Sequence, residues 1–118
     1  VAVTEVFAGI AVSDHALALP WYERLFGRPP DLIPNDNESA WQVAGAGWLY
    51  IVRDPARSGR SLVTLLVDDL EERVAELSGR GIEAGPIDVL PGVVQKTLIS
   101  DPDGNTIQLG QPLGGAAG

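Results

Sequence analysis

Phe7-Ala8-Gly9-Ile10-Ala11-Val12-Ser13-Asp14 is an apolar run of small and β-branched residues that ends in Asp and leads into a helical pattern. Leu62-Val63-Thr64-Leu65-Leu66-Val67-Asp68-Asp69 does the same 55 residues further on. Each helical pattern stops near glycine, Gly27 in the first case and Gly79 and Gly81 in the second. Further strand-like runs follow, the last of them Trp48 to Val52 and Thr106 to Leu109. Self-similarity at a fixed spacing constrains topology before any single element does. The sequence therefore predicts an α+β fold made of two β-α-β-β-β modules.

Working outward, Asp14 suits a helix N-cap and Gly27 a C-terminal stop. Pro20 removes a helical hydrogen bond, so the expectation is a turn over His15 to Leu19 and a firm helix from Pro20 to Phe26. The second helix is cleaner: Asp69 caps it, Glu72 completes a capping box, and Leu70, Val74 and Leu77 form its apolar stripe. Arg28-Pro29-Pro30 breaks the chain before a short strand near Asp31 to Pro34, and a polar loop follows over Asn35 to Glu38. Ala40 to Ala44 and Trp48 to Val52 form a hairpin around Gly45-Ala46. Ile82 to Val89 and Val93 to Ser100 read as strands, and Asp101-Pro102-Asp103-Gly104-Asn105 is a turn closing onto Thr106 to Gln111. The expected organisation is one domain over residues 1–118. Module 1 spans about 1–53, a linker 54–60, module 2 about 61–112 and a flexible tail 113–118.

The 118 residues are enough for one domain with its own core. The absence of cysteine excludes disulfides, thiolate nucleophiles and cysteine metal sites, and agrees with a cytoplasmic location. No apolar run is long enough for a bilayer span and no leader pattern opens the sequence. The net charge of −8 disfavours nucleic acid and anionic membrane as partners. A neutral or cationic small molecule suits that field, and so does solubility alone. Phosphate loops, nucleophile elbows and basic patches are missing from the sequence.

The run ending Val12-Ser13-Asp14, followed by Trp21-Tyr22-Glu23-Arg24-Leu25-Phe26-Gly27, resembles the first-module signature of the vicinal oxygen chelate superfamily. Val67-Asp68-Asp69 and Gly79-Arg80-Gly81-Ile82 resemble the opening of its second module, and Ser100 to Leu109 its closing hairpin. That group holds glyoxalase I, extradiol dioxygenases, methylmalonyl-CoA epimerase, fosfomycin-resistance enzymes and bleomycin-resistance proteins. The resemblance implies curved mixed sheets around a ligand cleft, and the fold hosts many chemistries.

In metal-using members each module offers a His in its first strand and a carboxylate in its last. Carried over by position, these ligands fall on Phe7, Tyr50, Leu62 and Gln108. Apolar and aromatic side chains there leave too few oxygen or nitrogen donors for a divalent cation, so neither a metal nor another cofactor is expected. The single histidine, His15, is expected in an exposed loop, and Glu5, Asp14, Glu38 and Asp103 in surface or capping roles.

Period-two alternation places Phe7, Gly9 and Ala11 on one face of the first strand and Ile10 and Val12 on the other. Likewise Leu62, Thr64 and Leu66 oppose Val63, Leu65 and Val67, while Trp48 and Tyr50 oppose Leu49 and Ile51. A two-residue loop at Gly45-Ala46 pairs Trp41 with Tyr50, which brings Phe7, Trp41, Trp48 and Tyr50 onto one concave face. In the second hairpin either Lys96 and Leu98 or Gln95 and Thr97 lie beside Gln108, depending on the turn. The candidate ligand-binding residues are thus Phe7, Trp41, Trp48, Tyr50, Leu62, Thr64, Lys96, Leu98 and Gln108. The implied protein is a homodimer that sequesters a small hydrophobic or aromatic molecule such as an antibiotic, without catalysis. The alternative is a superfamily lyase, isomerase or dioxygenase with an atypical or absent metal site.

Overall fold

The computed structural model describes residues 2–114 and contains two four-stranded sheets, each with one helix. Module 1 runs β1 (Val6–Val12), α1 (His15–Phe26), β2 (Leu32–Asn35), β3 (Glu38–Ala44) and β4 (Gly47–Arg53). Module 2 repeats the order with β5 (Leu62–Leu66), α2 (Leu70–Gly79), β6 (Asp88–Leu90), β7 (Val94–Ser100) and β8 (Thr106–Pro112). The strand orders are β1-β4-β3-β2 and β5-β8-β7-β6. The first strand of each module pairs parallel to the last, and the remaining pairs are antiparallel. The α+β repeat read from the two Asp-terminated runs is the observed fold.

Helix α1 begins at His15, one full turn earlier than Pro20 suggests. Asp14 caps it, accepting from the Leu17 N–H at 3.2 Å. Pro20 deprives only the Ala16 carbonyl of its bond, and both residues are exposed, so the orphaned carbonyl lies within reach of solvent. Gly27 closes the helix at φ 73°, its N–H donating to the Glu23 carbonyl. In α2 the Asp69 carboxylate accepts from the Glu72 N–H at 3.1 Å, the expected cap. The segment 82–87 is not the strand expected of it. Pro86 cannot donate to a ladder, and only Gly85 of this segment bonds β7: its N–H donates to the Leu98 carbonyl and its carbonyl accepts from the Thr97 hydroxyl. At the other end Leu113 donates to the Val93 carbonyl, and residues 115–118 of the expected flexible tail lie outside the described residues.

The helix-facing side chains of both modules form one buried cluster, including Ile10, Trp21, Leu49 and Ile51 from the first and Leu70, Leu77, Ile99 and Ile107 from the second. A polar knot fastens the modules beside it. The Asp101 carboxylate accepts from the Tyr22 hydroxyl at 2.7 Å, the Asn105 amide at 2.8 Å and the backbone N–H groups of Asp103 and Asn105. Asn105, fully buried, also donates to the Ala11 carbonyl of β1 and accepts from the Ser61 N–H. The turn sequence Asp101 to Asn105 thus closes one module and grips the other. Both ends of α1 are held from module 2 as well. Asp103 accepts from the Ser13 N–H and hydroxyl, and the Arg80 guanidinium donates to the Arg24 and Leu25 carbonyls at the helix C-terminus.

Burial, then the hydrogen bond to Asp101 and the charge there, pushes the Tyr22 phenol far above its usual value of 10.0. The unfolded chain loses this proton near that value while the folded chain keeps it, so the unfolded state binds fewer protons and stability falls as pH rises beyond it. In urea titrations the wild type should lose up to about 1.4 kcal/mol per pH unit from this group above roughly pH 10. Tyr22→Phe should flatten that part of the slope while lowering neutral-pH stability by about 1–3 kcal/mol, because Asp101 loses a donor in a buried site.

Candidate functional site

Parallel pairing of β1 with β4 sets Phe7 opposite Trp48 and Gly9 opposite Tyr50. The Phe7 and Trp48 rings stack at 5.2 Å with planes 12° apart, and Tyr50 lies 6.4 Å from Phe7, tilted by 60°. A Cβ at Gly9 would stand 2.6 Å from the Tyr50 ring, so glycine is what lets that ring cross β1. The Trp48 indole N–H donates to the Glu5 carboxylate at 2.8 Å. Glu5 is therefore a partner of the aromatic face rather than a free surface carboxylate. Its even spacing from Phe7 and Gly9, which puts all three on one side of an extended chain, carried that signal. Phe7 remains 48% exposed, so this is an open surface of stacked rings and not core.

Trp41 does not join it. The hairpin begins as expected with Ala44 opposite Gly47, but the register shifts between Gln42 and Ala44. One extra residue there puts Gln42 opposite Trp48 and Trp41 opposite Leu49. A one-residue slip moves every following side chain to the other face. Trp41 is accordingly 0% exposed, packs 5.2 Å from Phe26 and 6.2 Å from Tyr22, and donates to the Arg28 carbonyl.

In module 2, Thr64 and Leu98 flank Gln108 on neighbouring strands, and Lys96 lies opposite Gly110. The register thereby selects Lys96 and Leu98. Thr97 is buried on the helix side, and Gln95 bonds Gln111. The Gln108 amide donates to the Thr64 hydroxyl at 3.2 Å. Leu62, Leu66 and Leu98 are 68%, 67% and 52% exposed, an apolar surface that the chain itself leaves open. A depression of about 290 Å³ takes in Lys96, Leu98, Gln108 and Asp88, the last paired across from Lys96 and not anticipated from sequence. The two groups of candidates stay apart: among the described residues no ladder joins the sheets, and this depression contains no residue of module 1. His15 is not a loop residue either. It opens α1, is half-buried, and its Nε2 lies 2.9 Å from the buried Ser39 hydroxyl.

Neither the protein-family models nor the curated proteins compared with the chain match it. Solved structures do. A glyoxalase/bleomycin resistance protein from Catenulispora acidiphila DSM 44928 is 38% identical, with a TM-score of 0.87 over 92% of this chain and 98% of that one. An antibiotic-binding protein from Streptomyces sp. CB03234 is 28% identical, with a TM-score of 0.75 over 95% and 98% of the two chains. A bleomycin-binding protein in complex with bleomycin, 19% identical over 91% and 97% with a TM-score of 0.74, shares the fold.

The positions that the resemblance assigns to metal ligands now have surroundings. Phe7 stacks on Trp48, Tyr50 lies beside Gly9, Leu62 is an exposed aliphatic, and the Gln108 amide nitrogen is committed to Thr64. Among the described residues no group of three or more His, Asp or Glu side chains could hold an ion. This donor set does not fit a divalent cation. Addition of Zn²⁺, Ni²⁺, Mn²⁺ or Fe²⁺ should leave the Tm unchanged, and a chelator should not lower it; differential scanning fluorimetry reads both.

Proposed function

The chain belongs to the glyoxalase/bleomycin resistance family, and from that premise we propose that it is a metal-free binding protein that sequesters a small hydrophobic or aromatic molecule. The observation that carries this reading is the Phe7–Trp48–Tyr50 face, which occupies positions where a metal centre would need imidazole and carboxylate. Stacked rings open to solvent offer a planar ligand dispersion and π contact without any reacting group. An antibiotic is the first ligand class to try, because the Streptomyces relative is described as antibiotic-binding. Module 2 supplies the second wall in this proposal: Leu62, Thr64 and Leu98 are apolar or neutral, with Lys96 and Gln108 for polar contact.

Within one chain these two walls do not meet, so we infer that a second copy completes the cleft. Leu62, Leu66, Leu98 and Phe7 are all about half exposed or more, and burying them against another chain removes apolar area from water.

Two measurements test these readings. A planar aromatic antibiotic should quench intrinsic fluorescence, and Trp48→Ala should weaken its binding by about 1–3 kcal/mol with little change in Tm. Trp41→Ala should instead cost about 3–5 kcal/mol of stability, as removal of a core aromatic does. A strongly destabilised Trp48→Ala protein with unchanged affinity would remove this face from the site. Sedimentation at micromolar concentration should show a species of twice the 12.4 kDa chain mass; a monomer alone refutes the shared cleft.

A further inference from the structure

A cavity of about 500 Å³ lies away from the aromatic face, where the two modules join. Its floor is apolar, with Leu25 and Phe26 from the end of α1, Leu65 from β5, Leu77 from α2 and Leu109 from β8. Thr64 and Leu66 place its mouth at β5, an edge strand. The volume is that of a site for a small organic molecule.

Its charged lining is unusual for this chain. Arg28, Arg73 and Arg80 contribute to the wall against a single carboxylate, Glu76, although the protein carries only 8 Lys and Arg against 16 Asp and Glu. Arg73, Glu76 and Leu77 recur at intervals that put them on one stripe of α2, and Arg80 follows as its C-cap. The three arginines are not equally neutralised. Arg73 pairs with Asp68, Glu72 and Glu76, yet its Nε makes no hydrogen bond. Arg28 spends Nη2 on Asp31 and the Gln42 carbonyl. Arg80 has no carboxylate within ion-pair distance among the described residues; only the Arg24 and Leu25 carbonyls hold it. A guanidinium has five N–H donors, so Arg80 is fixed in place with donors to spare.

We propose that this cavity binds an amphipathic monocarboxylate, its apolar body against Leu25, Phe26, Leu65 and Leu77 and its carboxylate on Arg80. The site shares Thr64 and Leu66 with the surface assigned above to the second copy but none of Phe7, Trp48 and Tyr50, so its test does not depend on the aromatic face. Decanoate is the probe and decanol its uncharged counterpart. Calorimetry on the full chain should give one decanoate per chain, with decanol at least tenfold weaker. Arg80→Met should lower decanoate affinity tenfold or more, about 1.4 kcal/mol. Because Arg80 also caps α1, a second variant is needed: Ala44→Trp, at an exposed position on the cavity wall, should abolish binding by filling the space. Amide shifts in the wild type should move at residues 65–67 and 76–80. Absence of decanoate binding at millimolar concentration, equal affinity for decanol, shifts confined to residues 48, 50, 98 and 108, or unchanged binding by Ala44→Trp would each overturn the proposal. So would an Ala44→Trp chain that binds no decanoate only because it no longer self-associates, for then a second copy and not a carboxylate fills the cavity.

Discussion

One buried carboxylate determines how the halves of this molecule sit together. Asp101 accepts four hydrogen bonds, from a side chain of α1, from its own turn and from Asn105, and Asn105 in turn holds β1 and the segment entering β5. A buried charge is tolerable only when its acceptor sites are filled in this way. Three of the donors belong to its own turn, and the fourth, the Tyr22 hydroxyl, reaches it only when one module is seated on the other. The knot therefore works as a lock on relative orientation, a role that hydrophobic contact among Ile10, Leu70 and Ile107 cannot fill because it is not directional.

Fixing the helix-facing sides together has a consequence for the opposite sides. Each sheet turns its other face outward, and the residues there escape the demands of the core. Phe7, Trp48 and Tyr50 can then stack across a parallel strand pair, and Gly9 makes the space that this stack requires. On the second sheet the matching positions hold Leu62, Thr64, Gln108 and Leu98. The internal repeat is thus preserved in backbone and discarded in side-chain chemistry, giving one aromatic face and one aliphatic and polar face.

Much of this was legible in the sequence, and the failures have local causes. Asp14, Gly27 and Asp69 act where caps are expected because their chemistry is determined within one turn of helix. Alternation sorted β1, β4, β5 and β8 correctly because each strand is regular from end to end. Trp41 was misplaced because a single bulged residue reverses parity, and nothing in Gln42-Val43-Ala44 announces a bulge. Pro20 misled because the cost of a missing bond depends on whether water can reach the orphaned carbonyl, which is a property of the folded surface. The partnership of Asp101 with Tyr22 spans 79 residues, beyond any pattern of local spacing, and so does the junction cavity built from both helices and β5.

The contacts that join the modules also impose an order in time. Ala11 waits 94 residues for the Asn105 amide, and Ser13 waits 90 for Asp103. Closing loops of that length costs entropy before any contact repays it, and such distant pairings slow folding. On the ribosome module 1 is made first, and the contacts that hold the two ends of α1 arrive only with Arg80 and then Asp103. Nascent polypeptide that stalls before Asp101 would expose the apolar seam of α1 to chaperones or proteases. The turn before β8 thus works as a folding checkpoint, since the joint between the modules closes only once Asp101 to Asn105 have been made.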